Sequence, residues 1–135
     1  MTSESVNRNV SARCPCLSGL VLGDCCGPVL AGERPAPTAE ALMRSRFTAF
    51  ALGDRNHLLV SWHPDTRPDT LDLDESTRWY RLDIESTAAG SPFDVEGEVT
   101  FTAYYRRGPE PGSLHERSRF TRLDGRWVYL DGIVD

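Results

Sequence analysis

The sequence predicts an α+β fold in which helices pack on a curved antiparallel sheet, with a small cysteine-rich unit in front. Three observations carry this. Helical periodicity is confined to residues 39–62, the hydrophobic period switches to two from Arg78 onward, and all four cysteines lie between Cys14 and Cys26. At 135 residues the chain has room for one hydrophobic core and a small appendage. Apolar residues make up 39% and charged residues 26%, and no run approaches the roughly 18–20 apolar residues of a membrane span, so no membrane insertion is expected. The opening MTSESVNRNVSAR is polar and lacks the apolar stretch of a secretory signal, which places the expected compartment in the cytoplasm. A net charge of −5, with every basic residue an Arg and no basic run, gives no electrostatic footprint for nucleic acid, and none is expected as a partner.

Taken in order, the stretch CPCLSGLVLGDCC holds the whole thiol inventory. Disulfides are rare in a reducing compartment, so such a cluster holds metal or does redox chemistry. The redox reading lacks a C-x-x-C motif and a surrounding βαβ pattern, and a bond between the adjacent Cys25 and Cys26 needs strained geometry. Four thiolates complete a tetrahedral zinc shell, and a closed shell is structural because a catalytic zinc keeps a position open. Cys14, Cys16, Cys25 and Cys26 are therefore the candidate metal ligands, with zinc the expected ion and iron the other metal such a site accepts. Pro15 restricts the first pair, Ser18-Gly19 supplies the return, and Gly27-Pro28 is expected to end the unit.

AGERPAP, residues 31–37, reads as a linker. Thr38 is an N-cap, Glu40 suits the first turn, and Gly53 is a carboxyl-terminal cap, which predicts a helix over 39–52. Its apolar stripe combines Ala39, Met43 and Phe50 with Leu42 and Phe47 alongside, while Arg44 and Ser45 are expected to point away. Arg46 falls at the centre of the stripe and needs a carboxylate or several carbonyls if it is buried; alternatively, it snorkels to the helix edge. A second short helix is expected over 55–62, capped by Asp54 and stopped by Pro64, with His63 at its end beside Trp62 as a capping or packing residue more than a base. Residues 64–77 read as a loop.

Alternation then defines strands. Tyr80, Leu82 and Ile84 share one expected face against Trp79, Arg81, Asp83 and Glu85; Phe93, Val95, Gly97, Val99, Phe101, Ala103 and Tyr105 share the next. RGPEPGS reads as a turn, and Asp124-Gly125 as a two-residue hairpin turn. That hairpin places Arg122 opposite Trp127, Phe120 opposite Tyr129 and Ser118 opposite Asp131, so Glu116, Ser118, Phe120, Trp127, Tyr129 and Asp131 share a face.

CPCLSGLVLGDCCGP resembles the SEC-C motif, a cysteine-rich metal-binding module also found at the carboxyl terminus of the SecA translocation ATPase. TAEALMRSRFTAF, SWHPDTRP, SLHERSRF and GRWVYLDG resemble the YchJ-like family of uncharacterised bacterial proteins, which join that motif to a nuclear-transport-factor-two-like domain. The resemblance implies a cone of helices on a curved sheet, and the division expected is a flexible tail (1–13), the metal-binding motif (14–30), a linker (31–37) and the cone (38–135). Leu17 stands where the motif has Gly, and it carries strain if the turn demands a positive φ. Leu22 stands where an aromatic is common.

Two functions follow. One is a non-catalytic adaptor whose metal knuckle docks on a protein partner through Leu20, Val21 and Leu22, with protein export or the ribosome suggested by the SecA resemblance. The other is a small-molecule binder or enzyme using the cone's cavity, with Arg46, Trp62, His63, Glu116, Phe120, Trp127, Tyr129 and Asp131 as candidate pocket residues and Arg46 meeting Glu116 or Asp131. No nucleophile elbow, phosphate-binding loop or dinucleotide fingerprint is present. Related cones dimerise through the open sheet face, so a homodimer is a further expectation of the resemblance.

Overall fold

A computed structural model describes residues 9–135; residues 1–8 of the expected tail lie outside the described residues. From Val10 the chain is already paired: Leu22 N–H donates to the Ala12 carbonyl, Gly23 N–H to that of Val10, and Arg13 bridges Val21. The knuckle thus starts ahead of Cys14. After a 3-10 turn at Leu22–Asp24 comes a one-turn helix, α1 (Gly27–Leu30). Gly27-Pro28 was expected to terminate the unit, but proline is tolerated in a first helical turn, where its missing N–H would be unpaired anyway.

Helix α2 runs Ala39–Leu52 as predicted. Thr38 Oγ1 accepts from Ala41 N–H at 3.0 Å, and Gly53 closes the helix at φ 76°. Ser45 departs from expectation. It is fully buried, donating to the Leu42 carbonyl at 2.7 Å and lying 2.9 Å from His57 Nε2. The helix is covered on more than one side, since the buried set also includes Thr48 and Ala49. Helix α3 (Arg55–Val60) is capped by Asp54, whose carboxylate accepts from His57 N–H, and it is shorter than the expected 55–62. Its end is tied to the sheet: Tyr129 N–H donates to the Ser61 carbonyl and His63 N–H to that of Tyr129, both at 2.8 Å.

Four antiparallel strands follow in the order β1 (Thr77–Ala89), β2 (Glu96–Arg107), β3 (Glu110–Leu123) and β4 (Arg126–Val134). Asp124 and Gly125, at φ 54° and 81°, make the expected tight turn. The expected turn RGPEPGS contracts to Gly108-Pro109, because Glu110 to Ser113 pair with β2. Phe93 and Val95 precede β2 and are exposed, so the apolar alternation starts only at Gly97.

Bulges reassign faces, two in β1 at Tyr80 and Glu85 and one in β4. In β1, Trp79 pairs with Tyr105 and Arg81 with Tyr104, leaving Tyr80 as an extra residue. An extra residue inverts the alternation across it. Trp79 therefore joins Leu82 and Ile84 under α2, and Tyr80 faces out. In β4 Leu130 is the extra residue: Phe120 stays opposite Tyr129, but Ser118 meets Gly132 while Arg119 meets Asp131. Asp131 leaves the concave face.

The knuckle shares the core. Cys14, Cys16, Leu22, Cys26 and Leu30 belong to one buried cluster with Leu42, Phe47, Ala49, Leu58, Val99, Phe101 and Phe120. The expectation of a separate folding unit in front of the cone gives way to a single core, because α2 offers Thr48 and Arg44 on its knuckle-facing side: Thr48 Oγ1 lies 3.7 Å from Cys14 Sγ, and Arg44 Nη1 donates to the Cys16 carbonyl at 2.9 Å.

Candidate metal centre and cone cavity

The C-x-C turn is built around Leu17 at φ 64°, the left-handed region expected to strain a non-glycine residue. Leu17 N–H reaches the Cys14 carbonyl at 3.0 Å, and Cys14 N–H reaches the Leu20 carbonyl at 2.9 Å, which folds both thiols of the first pair inward. The 3-10 turn then delivers Cys25 and Cys26. All four sulfurs lie within 4.8 Å of one another, with Cys16 to Cys25 at 3.6 Å and Cys25 to Cys26 at 3.9 Å. A tetrahedron with metal–sulfur bonds of about 2.3 Å has edges of about 3.8 Å, so the cluster is compatible with a four-coordinate metal site.

Chemistry points the same way. Cys26 is pushed above the ordinary thiol range, first by hydrogen bonding to Cys14 and Cys16 and then by burial, while Cys16 is held below it as acceptor from Cys14 and Cys26. Four thiolates cannot share so small a buried volume without a cation to balance them. Ser18 Oγ, 3.1 Å from Cys25 Sγ, and Thr48 Oγ1 supply outer hydrogen bonds of the kind that orient ligands.

The second site lies between α2 and the concave face of the sheet. A cavity of about 250 Å³ is lined by Met43, Arg46, Phe47, Phe50, Trp62, Trp79, Phe101, Ala103, Leu114, Glu116, Ser118 and Tyr129. Arg46 is 4% exposed, its pKa lowered to about 10 by burial. Among the described residues its hydrogen bonds all leave from Nη1, to the Leu58 carbonyl at 2.9 Å and Ser61 Oγ at 2.7 Å. The Trp62 and Tyr129 rings hold the guanidinium, with centroids 4.9 and 4.6 Å away. Among the described residues no carboxylate comes within ion-pair distance of it; Glu116 acts on it through space.

Glu116 Oε2 accepts from Ser118 Oγ at 2.7 Å and from Tyr129 Oη at 2.8 Å. Burial, then the Glu116 charge, raises the Tyr129 pKa and keeps the phenol a donor. Gly132 makes room for this arrangement, since a Cβ there would overlap the Glu116 carboxylate. Trp62 Nε1–H is buried with no partner among the described residues.

Of the eight pocket residues expected, four line the cavity: Arg46, Trp62, Glu116 and Tyr129. Phe120 lies beside Tyr129, with ring centroids 5.7 Å apart, as part of the core. Trp127 instead lines a surface groove beside Leu30 and Val60 and donates from Nε1 to the Pro37 carbonyl at 3.2 Å. His63 accepts the Asp65 N–H on Nδ1 at 3.0 Å outside the cavity. The bulge sends Asp131 to the outer face, where Arg119 grips it through two bonds of 2.6 Å, so Arg46 meets neither expected carboxylate as an ion pair. Of the other lining residues, Met43, Phe47, Phe50, Phe101 and Ala103 were expected as core, Leu114 was not singled out, a bulge hides Trp79, and Ser118 was visible in the hairpin register.

Comparison with known proteins adds family context. The profile described as YchJ, middle NTF2-like domain, matches residues 38–132, and the SEC-C motif matches residues 11–28. The chain is 56% identical over 119 residues to a UPF0225 protein of Streptomyces coelicolor, covering 88% of this chain and 93% of the relative. It is 47% identical over 131 residues to a UPF0225 protein of Chromobacterium violaceum, covering 94% and 96%. The solution structure of a SEC-C motif containing protein from Rhodopseudomonas palustris superposes with TM-score 0.79 at 38% identity, covering 89% of this chain and 96% of that one. The crystal structure of another, from Psychrobacter arcticus, gives 0.73 at 27% identity, covering 90% and 82%. With a SEC-C motif built into an NTF2-like cone along nearly its whole described length, the chain belongs to the YchJ-like, UPF0225 family.

Proposed function

We propose that this chain is a non-catalytic binding protein: a small-molecule cone with a structural four-cysteine zinc centre packed against its helix α2. The observation that carries the reading is Arg46, a guanidinium 4% exposed, without an ion-pair partner among the described residues, at the polar end of an otherwise apolar cavity. Its bonds to Leu58 and Ser61, the Trp62 and Tyr129 rings and the Glu116 charge offset the charge itself, and among the described residues its Nε and Nη2 donors are left for a ligand acceptor. Zinc suits the closed sulfur shell, and native mass spectrometry with elemental analysis on protein purified without added metal should give one zinc per chain; iron in its place would correct the metal. Ligand-observed NMR on the zinc-loaded full chain, with a mixed fragment set, should show binding that Leu114→Trp abolishes by filling the cavity. Equal binding by the variant would refute the cavity as the site.

A second reading, an adaptor docking a protein partner through the knuckle, is favoured by a specific observation. Val10, Leu17, Leu20 and Val21 are 54%, 43%, 51% and 37% exposed on so small a unit, whereas Leu22 is buried. A link to protein export or the ribosome rests on the SecA resemblance. An affinity pulldown with wild type and with Leu20→Ser, which leaves the ligand shell intact, separates the readings: identical partner lists remove the adaptor.

A further inference from the structure

We infer that the cone cavity takes a neutral planar amide or lactam, its carbonyl accepting from Arg46 and its N–H donating to Glu116. This rests on the cavity being a binding site. Three properties of the lining select the class.

The first is charge. Arg46 and Glu116 are the ionisable pair at the polar end, and their charges cancel. A carboxylate ligand would leave an excess negative charge beside Glu116 in a low-dielectric enclosure, and an ammonium would leave an excess positive charge beside Arg46. Both are costly, and a neutral molecule avoids each.

The second is hydrogen-bonding capacity. A guanidinium has five donors, and Arg46 uses only Nη1, so its Nε–H and Nη2 donors take an acceptor. A carboxylate accepts on both oxygens, and both bonds to Glu116 fall on Oε2, which leaves Oε1 for a donor. A ligand edge that presents an acceptor and a donor together, as an amide or lactam does, serves both groups at once.

The third is shape. Phe47, Phe50, Trp79 and Phe101 give the remaining wall aromatic faces that suit a flat ring. At about 250 Å³ the space is below the roughly 300–1,000 Å³ of drug-sized pockets, enough for one ring or a fused pair.

The test uses benzamide and 2-pyridone against benzoate, on the zinc-loaded full chain at pH 7, followed by ¹H–¹⁵N NMR. Saturable shifts of the Trp62 and Trp79 indole signals and of Arg46 Nε–H are expected, with benzamide and 2-pyridone each bound at least about tenfold more tightly than benzoate. Glu116→Gln keeps the side-chain size and still accepts from Tyr129, while removing the repulsion. It should shrink the preference to about twofold or reverse it. Benzoate matching the amides in the wild type, or a preference unchanged in Glu116→Gln, overturns the assignment. If the mixed fragments bind in a manner blocked by Leu114→Trp yet acids are preferred, the amide class falls and the binding cone stands. If nothing of any charge binds, both fall.

Discussion

Metal removal should destabilise the cone as well as the knuckle. Stripping the metal with a strong chelator, or replacing a buried ligand by Cys16→Ser, leaves the turn from Val10 to Leu30 without the centre that organises it. Structural zinc in small modules contributes on the order of 10 kcal/mol, as large as the whole stability of an ordinary domain. The consequence for the rest of the molecule follows from shared burial. Leu22 and Leu30 are 2% and 7% exposed in the common core, and exposing two leucines costs about 3–6 kcal/mol. The Arg44 bond to the Cys16 carbonyl, half-buried, adds about 1 kcal/mol. A loss of about 4–7 kcal/mol corresponds to a Tm lower by roughly 15–25 °C for a domain this size. Calorimetry should show one transition before and after chelation, and hydrogen exchange should speed up at the α2 amides of Phe47 to Phe50. Two transitions, or a cone whose Tm moves by less than about 3 °C, would refute the single-core reasoning.

Other consequences are more local. Gly132→Ala forces the Glu116 carboxylate off its bonds to Ser118 and Tyr129, which should cost about 2–3 kcal/mol in urea unfolding; a cost near zero would mean that Glu116 relocates freely. Trp127→Phe removes the Nε1–H bond to Pro37 and weakens the Arg122 contact at 4.6 Å, an expected loss of about 1–2 kcal/mol by the same assay. Leu17→Gly relieves the φ 64° strain and should stabilise the metal-bound protein by about 1 kcal/mol, seen as a higher Tm. His115 bridges Glu85 at 3.0 Å and Asp135 at 3.1 Å, which raise its pKa above the usual 6.5. The stabilisation is therefore full below 6.5 and lost as pH climbs through the raised value. NMR titration should place the midpoint above 6.5 and Asp135→Asn should lower it; a midpoint at or below 6.5 would contradict the bridge.

Elements governed by neighbours in the chain were legible without coordinates. Thr38 and Gly53 bounded α2 because caps satisfy local backbone groups, Asp124-Gly125 set its turn because only certain residues adopt positive φ in sequence, and the spacing of the cysteines announced one cluster of thiols. What tertiary structure alone decided depends on contacts between distant segments. The bulges at Tyr80 and Leu130 follow from how whole strands twist and pair, and each moves a residue across the sheet: Trp79 into the cavity, Asp131 out of it. Arg46 was visible as an anomaly in an apolar stripe. That its charge rests between Trp62 and Tyr129, without a salt bridge, was settled by α3 docking on β4. The knuckle joined the core for a similar reason: helix periodicity shows which side of α2 is apolar, but not that Arg44 and Thr48 on another side meet Cys16 and Cys14.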